Sequence, residues 1–148
     1  LVERFGGRVH STAGDGITCA FEDPNGAFRA AKAIQTGLFE FNSFRNRIGR
    51  PVALRIGLHT GLVVPPDQGD VTSLNFAHVI DISAHLQKTA PPGGVAVSDA
   101  TLNHFPGGKS TVGETRVEAS GVTGCVWVAK QVNIVAQMPE PPGLPSQA

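Results

Sequence analysis

Ser11, Asp15, Asp81 and His85 are the residues of this chain whose type and spacing could do chemistry. Asp15 sits in the turn Gly14-Asp15-Gly16 between two short apolar runs. A carboxylate there offers the oxygen donors that a hard cation takes, although Asp-Gly is also favoured in hairpin turns for backbone reasons alone. Asp81 and His85 stand four positions apart, so one helix puts them on the same face. That spacing suits a solvated surface pair as well as a ligand site. The Ser11 hydroxyl both donates and accepts, and by itself distinguishes no partner. His10 and His59 read as structural imidazoles in strands, Asp70 as a solvated loop acid, and Cys19 and Cys125 as core thiols.

The elements that position these groups follow from pattern. Residues 8–13 and 17–22 are strand-like, and the Asp-Gly between them predicts a β-hairpin. From 25 to 48, apolar residues at Ala27, Ala30, Ala31, Ile34, Leu38, Phe41 and Phe44 recur at helical spacing, with Asp23 or Asn25 as the cap. Arg50-Pro51 stops that helix, and 52–64 reads as a strand with Ile56, Leu58, Thr60 and Leu62 opposite Arg55, Gly57, His59 and Gly61. A second helix is expected over 74–89, turning Val79, Ile80, Ser83 and Leu86 inward. A buried strand at 95–97, a short helix capped by Ser98 and running to about 104, and weaker strands at 111–119 and 126–135 complete the order. Residues 1–5 read as the last turn of a helix stopped by Gly6-Gly7. The hairpin demands antiparallel pairing and the strand-helix-strand units favour parallel pairing, so the expected class is an α/β sandwich with a mixed sheet. One domain over 1–137 and a disordered Pro-rich tail over 138–148 are expected.

Composition narrows the function. A chain of 148 residues buries about 68–70% of its unfolded surface, enough for one real core. Twelve Lys plus Arg balance twelve Asp plus Glu, which argues against nucleic acid or an anionic membrane surface as partner. The charged fraction of 16% is low against an average of about 25%, so association with another chain is expected. Two cysteines without CxxC spacing indicate neither a disulfide framework nor a zinc site and fit a reducing cytoplasm. The sequence shows neither an apolar run of roughly 20 residues nor a signal-peptide pattern. It begins at Leu1 without Met and reads as a fragment.

The segments FGGRVHSTAGDGITCAF at 5–21, RIGLHTG at 55–61 and APPGGVAVSDAT at 90–101, in this order and with these helices between them, resemble the catalytic domain of class III adenylate and guanylate cyclases. The resemblance spans Phe5 to about Val135 and implies a ferredoxin-like core whose first strand and helix would precede Leu1. The activity it implies is attack of a ribose 3′-hydroxyl on the α-phosphate of ATP or GTP, expelling pyrophosphate, with two Mg²⁺ or Mn²⁺ ions held by a pair of carboxylates. Asp15 matches the second of these; the first would lie upstream, and Glu3 is no substitute. Ser11 stands where the family selects the base with Lys or Glu. Asp81 stands at the ribose-orienting Asn and His85 at the transition-state Arg, whose loss costs roughly 10³ to 10⁵ in rate. The family builds its sites across a dimer, so a homodimer or a heterodimer with another cyclase-type chain is implied. Two readings remain open: a nucleotidyl cyclase impaired in this chain alone, favoured by Asp15, or an inactive cyclase-homology module for dimerisation or nucleotide sensing, favoured by Ser11, Asp81 and His85.

Overall fold

The computed structural model describes residues 1–13, 16–61 and 70–129. The Gly14-Asp15 turn, the end of the 52–64 strand, the 130–135 end of the strand expected at 126–135 and the 138–148 tail lie outside the described residues.

A 3-10 turn, Glu3–Phe5, opens the chain and ends on Gly6, whose φ of 85° is a left-handed conformation that favours glycine. Strands β1 (Gly7–Ala13) and β2 (Gly16–Phe21) then form the expected antiparallel hairpin, a two-stranded sheet of its own. Helix α1 (Pro24–Phe44) begins with Pro24 at its first position, where the missing N–H costs nothing, and the Asp23 carboxylate accepts from the Asn25 amide at 3.0 Å. It stops at Phe44 rather than at 48. The amides of Arg45 and Asn46 both turn back onto the Phe41 carbonyl, and the Asn46 side chain donates to Asn42 Oδ1 and to the Arg50 carbonyl.

The 52–64 strand narrows to β3 (Ile56–Leu58). The backbone before it is already engaged. The Asn42 side chain exchanges two 2.8 Å hydrogen bonds with Val52, and the Leu54 carbonyl accepts from Gln35 Nε2 and the Gly93 amide. Helix α2 (Asp70–Thr89) starts earlier than periodicity indicates. Strand β4 (Gly94–Ser98) is buried throughout, and Ser98 caps the short helix α3 (Asp99–Leu102) by accepting from the Thr101 amide. The strand expected at 111–119 is instead a one-turn helix, α4 (Lys109–Val112), followed by β5 (Arg116–Ala119). Its first turn forms because Ser110 bonds back to the Gly107 carbonyl through both its amide and its hydroxyl. Strand β6 (Val122–Val128) begins earlier than 126, since Ser120 and Gly121, with φ of 53° and 79°, make a tight turn that lays Val122 beside Ala119.

The second sheet has the order β3-β4-β6-β5, with β3 parallel to β4 and the other pairs antiparallel. This is the mixed sheet that the sequence implies. On one face Phe28 and Ala31 of α1 pack with Val95, Val97, Leu102, Phe105, Val112 and Cys125; on the other Ile82 and Leu86 of α2, with Ala90 just past its end, meet Ala96 and Val126. Phe28 stacks on Phe105 at 5.0 Å and meets Trp127 edge-on at 6.4 Å, and burying a ring of that size contributes about 1.5–3 kcal/mol. The inward residues of α2 are Ile82 and Leu86, continued by Ala90 just past the helix, whereas Val79, Ile80 and Ser83 are half-buried. Gly57 accounts for that rotation. A β-carbon there would overlap the Ser83 carbonyl oxygen and sit 2.5 Å from the Gln87 amide nitrogen, so the helix backbone rests directly on β3.

Candidate functional site

Ser11 lies on β1 opposite Thr18 and is exposed. A bulge between Val9 and Ser11 shifts the register, leaving Ser11 on the face of Arg8 and Ala20 rather than on that of Val9 and Cys19. Bulges re-aim side chains in this way, and the sequence carried no signal of this one. Asp15, the metal-ligand candidate, lies outside the described residues.

Asp81 and His85 are both exposed on α2, as their spacing indicates. The His85 ring is engaged by a neighbouring turn. Its Nδ1 shares a 2.6 Å hydrogen bond with Ser120 Oγ, which ties the ring to the β5–β6 turn. Ser11 and the Asp81/His85 pair are mounted on separate units. The hairpin packs on the 3-10 turn and α1, and α2 packs on β3, β4 and β5.

Other polar groups gather at the ends of β3 and β4, where sequence reading saw only structural histidine and a cap. His59 Nδ1 and Ser98 Oγ share a 2.9 Å bond, Ser98 Oγ and Thr101 Oγ1 a 3.1 Å bond, and Thr101 Oγ1 and Thr60 Oγ1 a 2.8 Å bond. Burial, and secondarily His78, hold the His59 imidazole below its ordinary pKa of 6.5. Nearby, Asp99 takes a two-pronged bond from Arg116 and a further one from the Thr123 hydroxyl. His10 is exposed, Asp70 is the first residue of α2, and Cys125 is buried; Cys19 is only half-buried, a correction to its reading as a core thiol. Among the described residues there is no group of three or more His, Cys, Asp or Glu that could hold a metal. An apolar groove of about 410 Å³ between α1 and 52–54, lined by residues such as Ile34, Leu38, Phe41 and Leu54, contains none of the candidate side chains.

The fold is similar to the crystal structure of an adenylate/guanylate cyclase/hydrolase from Silicibacter pomeroyi, with a TM-score of 0.61 and 23% identity over 87% of this chain and 75% of that one. In sequence the chain is 30% identical over 107 residues to "Putative adenylate cyclase 3" of Rhizobium meliloti (strain 1021). The chain is a class III cyclase-like domain. The sequence match takes in 72% of the cyclase-like domain but only 17% of the Rhizobium protein's length. No protein-family model matches the cyclase-like domain. No helix among the described residues is long and apolar enough to cross a membrane.

Proposed function

We propose that this cyclase-like domain derives from a nucleotidyl cyclase of cyclic-nucleotide signalling, acts on ATP or GTP in the cytoplasm, and is impaired as a single chain. The observation that carries the impairment is the bond between His85 and Ser120, which engages the residue at the transition-state arginine position with the β5–β6 turn. An imidazole held by a turn supplies little of the fixed, forked positive charge that phosphoryl transfer uses. Asp81, four residues before it, brings a carboxylate rather than an amide towards a ribose.

The metal requirement points the same way. Mg²⁺ or Mn²⁺, when bound, would stabilise the attacking alkoxide and the developing phosphate charge, a task for paired carboxylates. This chain offers Asp15 for such a pair, and the remaining carboxylate would come from outside these 148 residues or from a partner chain. One carboxylate does not make a two-metal site, so no step is assigned through the metals here. A homodimer, or a heterodimer with a second cyclase-type chain, is the arrangement in which the missing groups would be supplied. The second reading, a module kept for dimerisation or nucleotide sensing, is favoured by Ser11, Asp81 and His85 together.

The test is direct. The isolated chain, incubated with ATP or GTP and Mg²⁺ or Mn²⁺, is expected to yield no detectable cyclic nucleotide, and clear turnover abolished by Asp15→Ala would overturn the impairment. Joining Ser11→Lys, Asp81→Asn and His85→Arg to an added upstream strand bearing an aspartate is expected to restore metal-dependent cyclic AMP production. Single changes should do little, because groups that act as one catalytic unit are strongly non-additive. A folded, dimeric combined variant that binds ATP and metal yet stays silent would show that these residues are wrongly placed.

A further inference from the structure

Between Glu40 and Asp67 the sequence has no Asp or Glu, yet it carries Arg45, Arg47, Arg50 and Arg55. All four are exposed, and among the described residues none of their guanidinium groups has a hydrogen-bond or ion-pair partner. The first three lie in the loop that leaves α1, together with Phe44 and Ile48, which are 74% and 63% exposed. That loop is cinched by two asparagines. Asn46 Nδ2 donates to Asn42 Oδ1 and to the Arg50 carbonyl, Asn46 Oδ1 accepts from the Ile48 amide, and Asn42 holds Val52 through both ends of its side-chain amide. The polar groups inside the loop are thereby engaged, and the arginines and the two apolar side chains are left outside.

We propose that the 44–50 segment is a docking surface for the anionic face of a lipid bilayer, with Phe44 and Ile48 entering the headgroup boundary and Arg45, Arg47 and Arg50 meeting lipid phosphates. A cation just past a helix C-terminus also answers the helix dipole, which accounts for Arg45 without a ligand. It does not account for two large apolar side chains held in water beside three arginines. Charge complementarity selects the occupant. A second copy seated on the same patch about a twofold axis would bring arginines face to face, and a nucleic acid would meet the arginines but offer Ile48 no apolar bed. An anionic bilayer supplies both, because its phosphates lie over acyl chains. The equal totals of twelve basic and twelve acidic residues speak against a field over the whole molecule, whereas this charge is gathered at one end of α1. Glu40, the acid that precedes the loop, bonds to none of its arginines. The inference is independent of the cyclase reading, since the loop carries none of Ser11, Asp15, Asp81 and His85.

Flotation of the full 148-residue chain with lipid vesicles tests it. Binding is expected on equimolar phosphatidylserine and phosphatidylcholine at about millimolar lipid, to be weak on phosphatidylcholine alone, and to fall as salt rises from about 0.05 M to about 0.5 M. Arg47→Gln with Arg50→Gln should weaken it on the order of thirtyfold, and Phe44→Ser with Ile48→Ser roughly tenfold or more. Arg8→Gln with Lys88→Gln removes the same charge from the hairpin and from α2, and should change binding by less than about threefold. Unchanged Trp127 emission will show that α1 stays seated in each variant. Absence of binding to the phosphatidylserine vesicles, equal losses in the two charge-removing pairs, or indifference to the Phe44 and Ile48 changes would each overturn the proposal. That indifference, joined to tight binding of a DNA duplex, would make the patch a nucleic-acid site instead.

Discussion

Asp99 and Arg116 meet fork to fork, with Nη1 3.0 Å from Oδ1 and Nη2 2.9 Å from Oδ2. Nη1 also reaches the buried Cys125 sulfur at 3.1 Å, so α3, β5 and β6 converge on one guanidinium. These bonds, Asp99 first and Cys125 second, raise the Arg116 pKa further above a value that is already high. Arg116→Lys keeps the charge but cannot fork. It is expected to lower the thermal midpoint slightly, with a smaller effect in high salt because the pair is exposed. An Asp99→Ala and Arg116→Ala double-mutant cycle should give a favourable coupling; strict additivity would mean that the fork is ornamental.

Gln35 is 2% exposed, and its Nε2 donates at 2.9 Å to the carbonyls of both Leu54 and Gly94. Gln35→Leu keeps the volume yet takes the buried amide donor from both carbonyls, leaving Leu54 only its bond from the Gly93 amide. We expect a loss of about 2 kcal/mol or more, read as a lower urea midpoint with an unchanged slope.

Gly57→Ala should be more damaging than its single methyl suggests. The added carbon meets backbone atoms of Ser83 and Gln87, which have no rotamer through which to yield. Overpacking of this kind costs about 1–3 kcal/mol, and exchange measurements should show α2 losing protection before α1 does.

The cysteines should separate chemically. Burial pushes the Cys19 thiol above its ordinary pKa of 9.0, and Cys125 is fully buried. Alkylation of the native chain is therefore expected to be slow at neutral pH, to accelerate at Cys19 above pH 9, and to reach Cys125 only on unfolding. Rapid labelling of Cys125 in the native state would contradict its placement.

What the sequence disclosed depended on how local the cause was. The hairpin strands and the Ser98 cap are written in neighbouring residues and appear as read, and of the two candidate caps, Asp23 and Asn25, it is Asp23 that caps α1. The short β3 was not legible, because the groups that occupy the backbone before it come from Asn42, Gln35 and Gly93, distant in sequence. The α4 turn and the early start of β6 were missed through turn chemistry at 107–110 and 120–121. Of the candidate site, helical spacing gave the shared exposure of Asp81 and His85. It could not give the Ser120 partner, which stands 35 positions away and signals nothing locally.

The edge-on contact of Trp127 with Phe28 gives this molecule a built-in optical probe. Trp127 is the sole tryptophan and there is no tyrosine, so emission excited near 295 nm arises from a single ring. Because side chains alternate along β6, that ring looks towards α1 while Val126 looks towards α2. Fluorescence will therefore follow the seating of α1 and remain nearly blind to the opposite layer. Comparing it with exchange at α2 would show whether the sheet's two faces come apart in one event or in two.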